Sequence, residues 1–132
     1  MLFRSDRPIL AACQLLGAMD RSIEVHYVTA RPEASRRGTE QFLADQRLPG
    51  WRNLHFCPGW KSSRIHKAEV MARLAREYEV LVSIGDHDED EQASRAAGVP
   101  FVRVTDDNVE DAWREVARLI AVPPADAADR SA

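Results

Sequence analysis

Apolar and polar positions along the chain switch between a period of about two and a period of about 3.6 residues, as in strands interleaved with helices. The first apolar block, Ile9 to Met19, follows Pro8 and is rich in helix formers, so it reads as a short buried helix with the proline in its first turn. Ile23-Glu24-Val25-His26-Tyr27-Val28-Thr29 is β-branched and aromatic, which predicts a strand ending at Thr29. Pro32 opens a helix expected to run to about Gln46 and to stop before Pro49-Gly50. Asn53 to Phe56 makes a short strand, followed by a loop through Pro58-Gly59-Trp60-Lys61. A further helix, capped by Ser62 or Ser63, places Ile65, Val70, Leu74 and Tyr78 near one face.

Val80-Leu81-Val82-Ser83-Ile84 is almost continuously apolar up to Gly85, the pattern of a central strand covered on both faces of a parallel sheet. The acidic run from Asp86 to Glu91 leads into a helix that stops near Gly98, and Pro100 to Val104 forms another strand. A last helix spans about Asn108 to Ile120. Beyond Pro123-Pro124 the Ala- and Asp-rich end reads as a flexible tail, 123–132, behind a single domain, 1–122. Repeated alternation of strand and helix predicts an open, mostly parallel α/β sheet of about four strands, three-layered and Rossmann-like with helices on both faces. Ligands of such sheets bind at the carboxyl ends of the strands, here Thr29, the loop after Phe56, Asp86, and Thr105 with Asp106.

Charge narrows the choice of ligand. Lys and Arg total 18 against 21 for Asp and Glu, a formal charge of −3, which lacks the basic excess of a non-specific nucleic-acid binder. Every apolar segment is interrupted by charge well short of the roughly 20 residues that cross a bilayer. The two cysteines, Cys13 and Cys57, lack metal-type spacing, and the chain start has no leader-like pattern, so a reduced cytoplasmic setting is expected. His26, His55, His66 and His87 form no metal spacing; His26 reads as a packed or edge residue and His87 as a solvent-facing loop residue. Trp51 and Trp60 flank the loop before the Ser62 helix, where they cover the core edge or stack on a base or sugar.

Val28-Thr29-Ala30-Arg31-Pro32 closing a strand, Lys67 near a helix start, and Ser83-Ile84-Gly85-Asp86-His87-Asp88-Glu89-Asp90 closing a later strand occur in a defined order. In order and spacing they resemble the second, third and fourth motifs of haloacid-dehalogenase-like hydrolases, and Gly98-Val99-Pro100 before the last strand is similar too. The resemblance runs from about Pro8 to Val104. It implies a phosphatase-type domain acting on phosphomonoesters, nucleotide or polynucleotide phosphates among them, with magnesium.

By that resemblance Thr29, Ala30 and Arg31 bind phosphate, Lys67 is the catalytic cation, Asp86 is the direct metal ligand and Asp90 the supporting one. The chemistry of the residues agrees. A hydroxyl and free amides at a strand-to-helix junction suit a phosphate oxygen. A nearby lysine, with Lys61 in reserve, offsets charge on a transferring phosphoryl group, and clustered carboxylates offer the hard oxygens magnesium prefers. Each residue also has a plainer reading: Thr29 as an N-cap, Lys67 as a solvated helix lysine, Arg31 in a surface ion pair, and the acidic run as a complement to a helix dipole.

Hydrolysis in this family proceeds through an aspartyl-phosphate, and the resemblance calls for an Asp-x-Asp pair at the end of a first strand. Only Met1-Leu2-Phe3 precedes Arg4-Ser5-Asp6, too short for a buried strand; the second neighbour of Asp6 is Pro8, and Asp20 lacks the pattern as well. A reading frame that starts downstream of that strand would account for this. The absent strand would lie between those ending at Thr29 and Ile84, which leaves two arrangements. Either these two strands pair directly, the cheaper solution, or a partner chain or homodimer completes the sheet. The alternative function is a catalytically inactive relative, a phosphate- or nucleotide-binding or partner-completed interaction module.

Overall fold

The computed structural model describes residues 3–4, 7–8, 15–16 and 22–120. Phe3–Arg4 (β1) pairs antiparallel with Arg7–Pro8 (β2). Then follow Tyr27–Val28 (β3), a single 3-10 turn at Glu33–Ser35, Arg36–Asp45 (α1), Leu54–His55 (β4) and Ser63–Glu77 (α2). Ser83–Gly85 (β5), Asp88–Ala96 (α3), Phe101–Arg103 (β6) and Val109–Ile120 (α4) complete the order. The chain is thus a small α/β protein with two short parallel sheets. Leu15 and Leu16 are helical, and the rest of the Ile9–Met19 helix and the 123–132 tail lie outside the described residues.

β3 pairs in parallel with β4, with Tyr27 opposite Leu54, and β5 pairs in parallel with β6, with Ser83 opposite Phe101. The two sheets are not hydrogen-bonded to each other, so the direct pairing expected of the strands ending at Thr29 and Ile84 does not occur. Nor is the stretch from Val80 to Ile84 a fully covered central strand. Its residues are all half-buried, as those of a strand bonded along one edge should be.

Both sheets nevertheless lie on one core. Leu43 of α1, Leu54 and Phe56 around β4, Val102 and Val104 around β6, and Trp113 and Val116 of α4 form a continuous buried cluster, against which Tyr27, Val82 and Ile84 pack. Helices α2 and α3 pack against each other outside that cluster.

Local chemistry explains the junctions. Arg47 adopts a left-handed φ of 56° after α1, which lets the Leu48 amide reach back to the Leu43 carbonyl at 3.0 Å and buries both leucines. Gly50 (φ 71°) then turns the chain toward β4, and a Cβ there would lie 2.1 Å from the Val25 carbonyl oxygen, so only glycine fits. Asn53 Nδ2 donates to that carbonyl at 3.0 Å, tying the turn to the start of β3.

Helix α2 differs from its expected face. Its buried stripe is His66, Val70 and Leu74, whereas Ile65 is 54% and Tyr78 40% exposed. The reason is register: His66, Val70 and Leu74 follow a strict i, i+4, i+8 row, and the imidazole fills the first position because its Nε2 finds a carbonyl partner.

Candidate functional site

The carboxyl ends of β3 and β5 are Thr29 and Asp86. Gly85, the last residue of β5, is buried, and its lack of a side chain brings the backbone against Asp90: a Cβ would meet Asp90 Cβ at 2.5 Å and Oδ2 at 2.6 Å. Helix α3 starts at Asp88, and the His87 amide donates to Asp90 Oδ2 at 3.2 Å, folding the first turn back over the strand end. Four carboxylates in that turn face the positive end of the helix dipole.

All four of these carboxylates meet a cation. Lys67 Nζ, reaching across from the second turn of α2, lies 2.8 Å from Asp90 Oδ1 and 3.0 Å from Glu89 Oε1. Ser63 Oγ donates to Glu89 at 2.9 Å, so α2 grips α3 at two points. Ser62 Oγ caps α2 by accepting from the Ile65 amide at 3.3 Å. Arg103 of β6 holds Asp88 at 2.7 Å and Glu91 at 2.9 Å from its NH2. Asp86 differs: among the described residues its side chain meets only the imidazole of His87, with Oδ1 2.7 Å from Nδ1.

The shifts in proton affinity follow. Burial works to lower the Lys67 pKa, but hydrogen bonds to Asp90 and Glu89 outweigh it and hold the ammonium above its usual range. The hydrogen bond from Lys67 holds Glu89 below the usual carboxylate range, against partial desolvation. Lys67 is therefore a permanent cation with a side chain only 12% exposed, not a solvated surface lysine.

Asp86, His87 and Asp90 present one donor atom each within 4.8 Å of one another, a group that could hold a metal ion. Two carboxylates with room for water suit a hard divalent cation such as magnesium, and the imidazole widens the choice to manganese or zinc. His87, expected as a loop residue without chemistry, thus joins the two aspartates; its position between Asp86 and Asp88 was the available signal.

Thr29 Oγ1 accepts from the Arg31 amide at 3.1 Å, which leaves its hydroxyl proton free to donate outward. It is not a helix N-cap; Pro32 caps the 3-10 turn and Ser35 precedes α1. Ala30 and Arg31 are exposed, and Arg31 makes no ion pair among the described residues. The Thr29 amide donates to the His55 carbonyl at 3.2 Å, and buried His66 Nε2 donates to the same oxygen at 3.0 Å. One carbonyl thereby anchors the end of β3 to the residue preceding Lys67. No hydrogen bond or ion pair joins Thr29 to Lys67 or to the Asp86 group among the described residues.

Lys61 is engaged elsewhere, 2.8 Å from Glu69 and stacked over Trp60. Trp51 packs on the core, but Trp60 is 82% exposed and covers nothing. Cys57 is a buried free thiol.

A polar chain runs behind the strand ends. Arg73 NH2 donates to His55 Nδ1 at 2.9 Å, and a guanidinium only donates, so His55 carries its proton on Nε2 and donates to His26 Nδ1 at 3.0 Å. His26 Nε2 in turn donates to Glu24 at 3.2 Å. Burial, with His26, Arg73, His66 and Arg36 adding positive potential, lowers the His55 pKa to about 4. The sequence offered no spacing that would reveal this pair, because it forms across two strands.

No family model, no curated protein and no solved structure matches the chain. The fold and site define a small α/β protein with an acidic, lysine-bridged cluster able to hold a metal. Among the described residues no helix is long and apolar enough to cross a membrane.

Proposed function

We propose that the chain is a haloacid-dehalogenase-like, phosphatase-type domain that acts on or binds phosphomonoesters with magnesium. The observation that carries the proposal is Lys67, brought from α2 to within 3.0 Å of both Glu89 and Asp90, beside Asp86. Two sequence-distant features that resemble one family's motifs, Lys67 on α2 and the acidic run after β5, are tied by these contacts.

In this reading Asp86 and Asp90 hold magnesium, which supplies charge neutralisation at a phosphoryl oxygen. Lys67 holds Asp90 in place through their 2.8 Å contact and adds positive charge to the crevice. The Thr29 hydroxyl, the Ala30 amide and the exposed Arg31 guanidinium receive the remaining phosphate oxygens. The Rossmann-like, three-layered arrangement belongs to the same proposal: α2 and α3 would cover one face of a continuous sheet, and α1 and α4 the other. A cytoplasmic setting and a nucleotide-like ligand are parts of it too.

A second reading, a magnesium-dependent phosphate-binding module without turnover, is favoured by one observation. Among the described residues no aspartate stands at the end of β3 or β4 to serve as a covalent nucleophile, and Asp45, between β3 and β4 in the chain, closes helix α1 instead. One experiment separates the two. Hydrolysis of a generic aryl phosphate by the whole chain, abolished by chelator and by Asp86→Ala, supports an enzyme. Magnesium-dependent binding of inorganic phosphate without turnover supports the module. Calorimetry that detects neither magnesium nor phosphate binding removes both.

A further inference from the structure

His26, just ahead of β3, and His55, the last residue of β4, meet edge to edge. His26 Nδ1 and His55 Nε2 are 3.0 Å apart, with ring planes inclined by 20° and centroids 5.2 Å apart, so the two nitrogens face each other in nearly one plane. Arg73 NH2 of α2 donates to His55 Nδ1 at 2.9 Å, and His26 Nε2 donates to Glu24 at 3.2 Å. A guanidinium can only donate, so every bond in this row points one way, from Arg73 through His55 and His26 to Glu24. All four ring nitrogens are engaged, and neither ring offers a free lone pair to a further proton.

A proton can therefore enter only by displacing one of these contacts. Both imidazoles are half-buried, whereas Arg73 is exposed on the surface of α2, and Glu77, one turn on, stands 4.0 Å from its Nε. An exposed charged contact is worth little, so the Arg73 bond is the one that opens. We propose that the row is a proton-operated latch between α2 and β4, in which uptake of one proton by the histidine pair reverses the row and releases Arg73 to Glu77. The solvent proton bonds to His55 Nδ1 as Arg73 leaves. The His55 Nε2–H bond then breaks, and its proton bonds to His26 Nδ1 along the 3.0 Å contact. His55 ends with its proton on Nδ1, and the added positive charge ends on His26, beside the Glu24 carboxylate.

The surrounding groups decide where that charge settles. Burial, then His26, Arg73 and His66 of α2, and Arg36 of α1 oppose charge on His55. Glu24 is bonded to His26, the Tyr78 ring at the end of α2 lies 5.2 Å from the same imidazole, and Glu77 faces Arg73. The consequence falls on α2, the helix that carries Lys67. Among the described residues its other polar tie to β4 is His66 Nε2, 3.0 Å from the His55 carbonyl, and the Thr29 amide shares that oxygen. Acid thus loosens α2 from β4 and leaves the pairing of β3 with β4 in place. The latch stands apart from the metal and phosphate chemistry proposed above.

Long-range proton–nitrogen NMR of the histidine rings in the whole chain, followed from about pH 8 to about pH 5, tests the latch. At the alkaline end His55 should carry its proton on Nε2. On acidification the pair should take up a single proton, with His55 switching to Nδ1 and His26 protonated on both nitrogens. Arg73→Met unblocks His55 Nδ1, so it should show Nδ1-protonated His55 even at about pH 8 and raise the midpoint of uptake by at least about one pH unit, a tenfold gain in proton affinity. Arg73→Lys, which also donates, should restore the parent's tautomer. Arg36→Met removes a nearby charge that is not bonded to the ring, and should leave the tautomer as in the parent. His55 holding its Nε2 proton throughout, two protons taken up by the pair, or an Arg73→Met midpoint equal to the parent's would each overturn the proposal. The parent chain alone decides the first two, whatever the stability of the variants.

Discussion

Lys67 Nζ lies 2.8 Å from Asp90 Oδ1, and this contact joins the second turn of α2 to the first turn of α3. With Glu89 at 3.0 Å it makes one cation serve two carboxylates in a half-buried setting. Removing the cation leaves those carboxylates facing each other. Lys67→Met should therefore cost about 1–3 kcal/mol in urea unfolding, because one partner of a poorly solvated ion pair is deleted. Magnesium chloride should restore part of that loss in the variant and much less in the parent. An unchanged unfolding midpoint would mean that the contacts are solvated and dispensable.

Asp86 makes the opposite prediction. Among the described residues its side chain is paired only with the exposed imidazole of His87, so the fold gains little from it. Asp86→Asn should leave the melting temperature nearly unchanged and weaken magnesium or manganese binding at least about tenfold, or about 1.4 kcal/mol, by calorimetry. Equal metal affinity in parent and variant would remove Asp86 from the metal group.

What the sequence revealed was local, and what it hid was relational. The apolar run before Gly85, the glycine itself and the acidic helix start can all be read residue by residue, and they place Asp86 directly after β5 and Asp90 in the first turn of α3. The helix at 63–77 was legible in extent but not in face, because hydropathy ranks Ile65 above His66, whereas a carbonyl partner decided which is buried. Strand pairing was not legible at all. Whether the strands ending at Thr29 and Ile84 bond to each other depends on groups far apart in sequence, and a β-branched run reads the same at an edge as in the centre. The His26–His55 pair was hidden for the same reason.

The histidine pair sets an acid limit on stability. His55 has its folded pKa lowered to about 4 from an ordinary 6.5. The unfolded chain therefore binds the proton more readily, and this contribution is complete above about pH 6.5 and is lost as the pH falls toward 4. His55→Asn, which cannot titrate, should flatten the fall in unfolding free energy between pH 6.5 and 4. Glu89, whose pKa is lowered by Lys67, adds a separate loss that begins as the pH falls into the ordinary carboxylate range and continues below it, and this loss should persist in the variant. Identical pH profiles for parent and variant would mean that His55 does not control the acid limb.

Two glycines separate damage to the fold from damage to the site. Gly50 needs its left-handed φ of 71°, and an added Cβ would run into the Val25 carbonyl, which cannot retreat without breaking its bond from Asn53. Gly50→Ala should thus cost at least about 1–3 kcal/mol from backbone strain, while the protein that remains folded binds metal as before. Gly85→Ala faces Asp90 instead, with the new Cβ within 2.7 Å of its Cβ, Cγ and Oδ2. Asp90 is held by Lys67 and by the His87 amide, so its displacement must loosen both the α2–α3 contact and the metal group. The variant should lose stability and metal affinity together, read by unfolding and by calorimetry on the same sample. If Gly85→Ala lost stability while keeping full metal affinity, Asp90 would have no part in the metal group, and Asp86 with His87 would have to hold the ion alone.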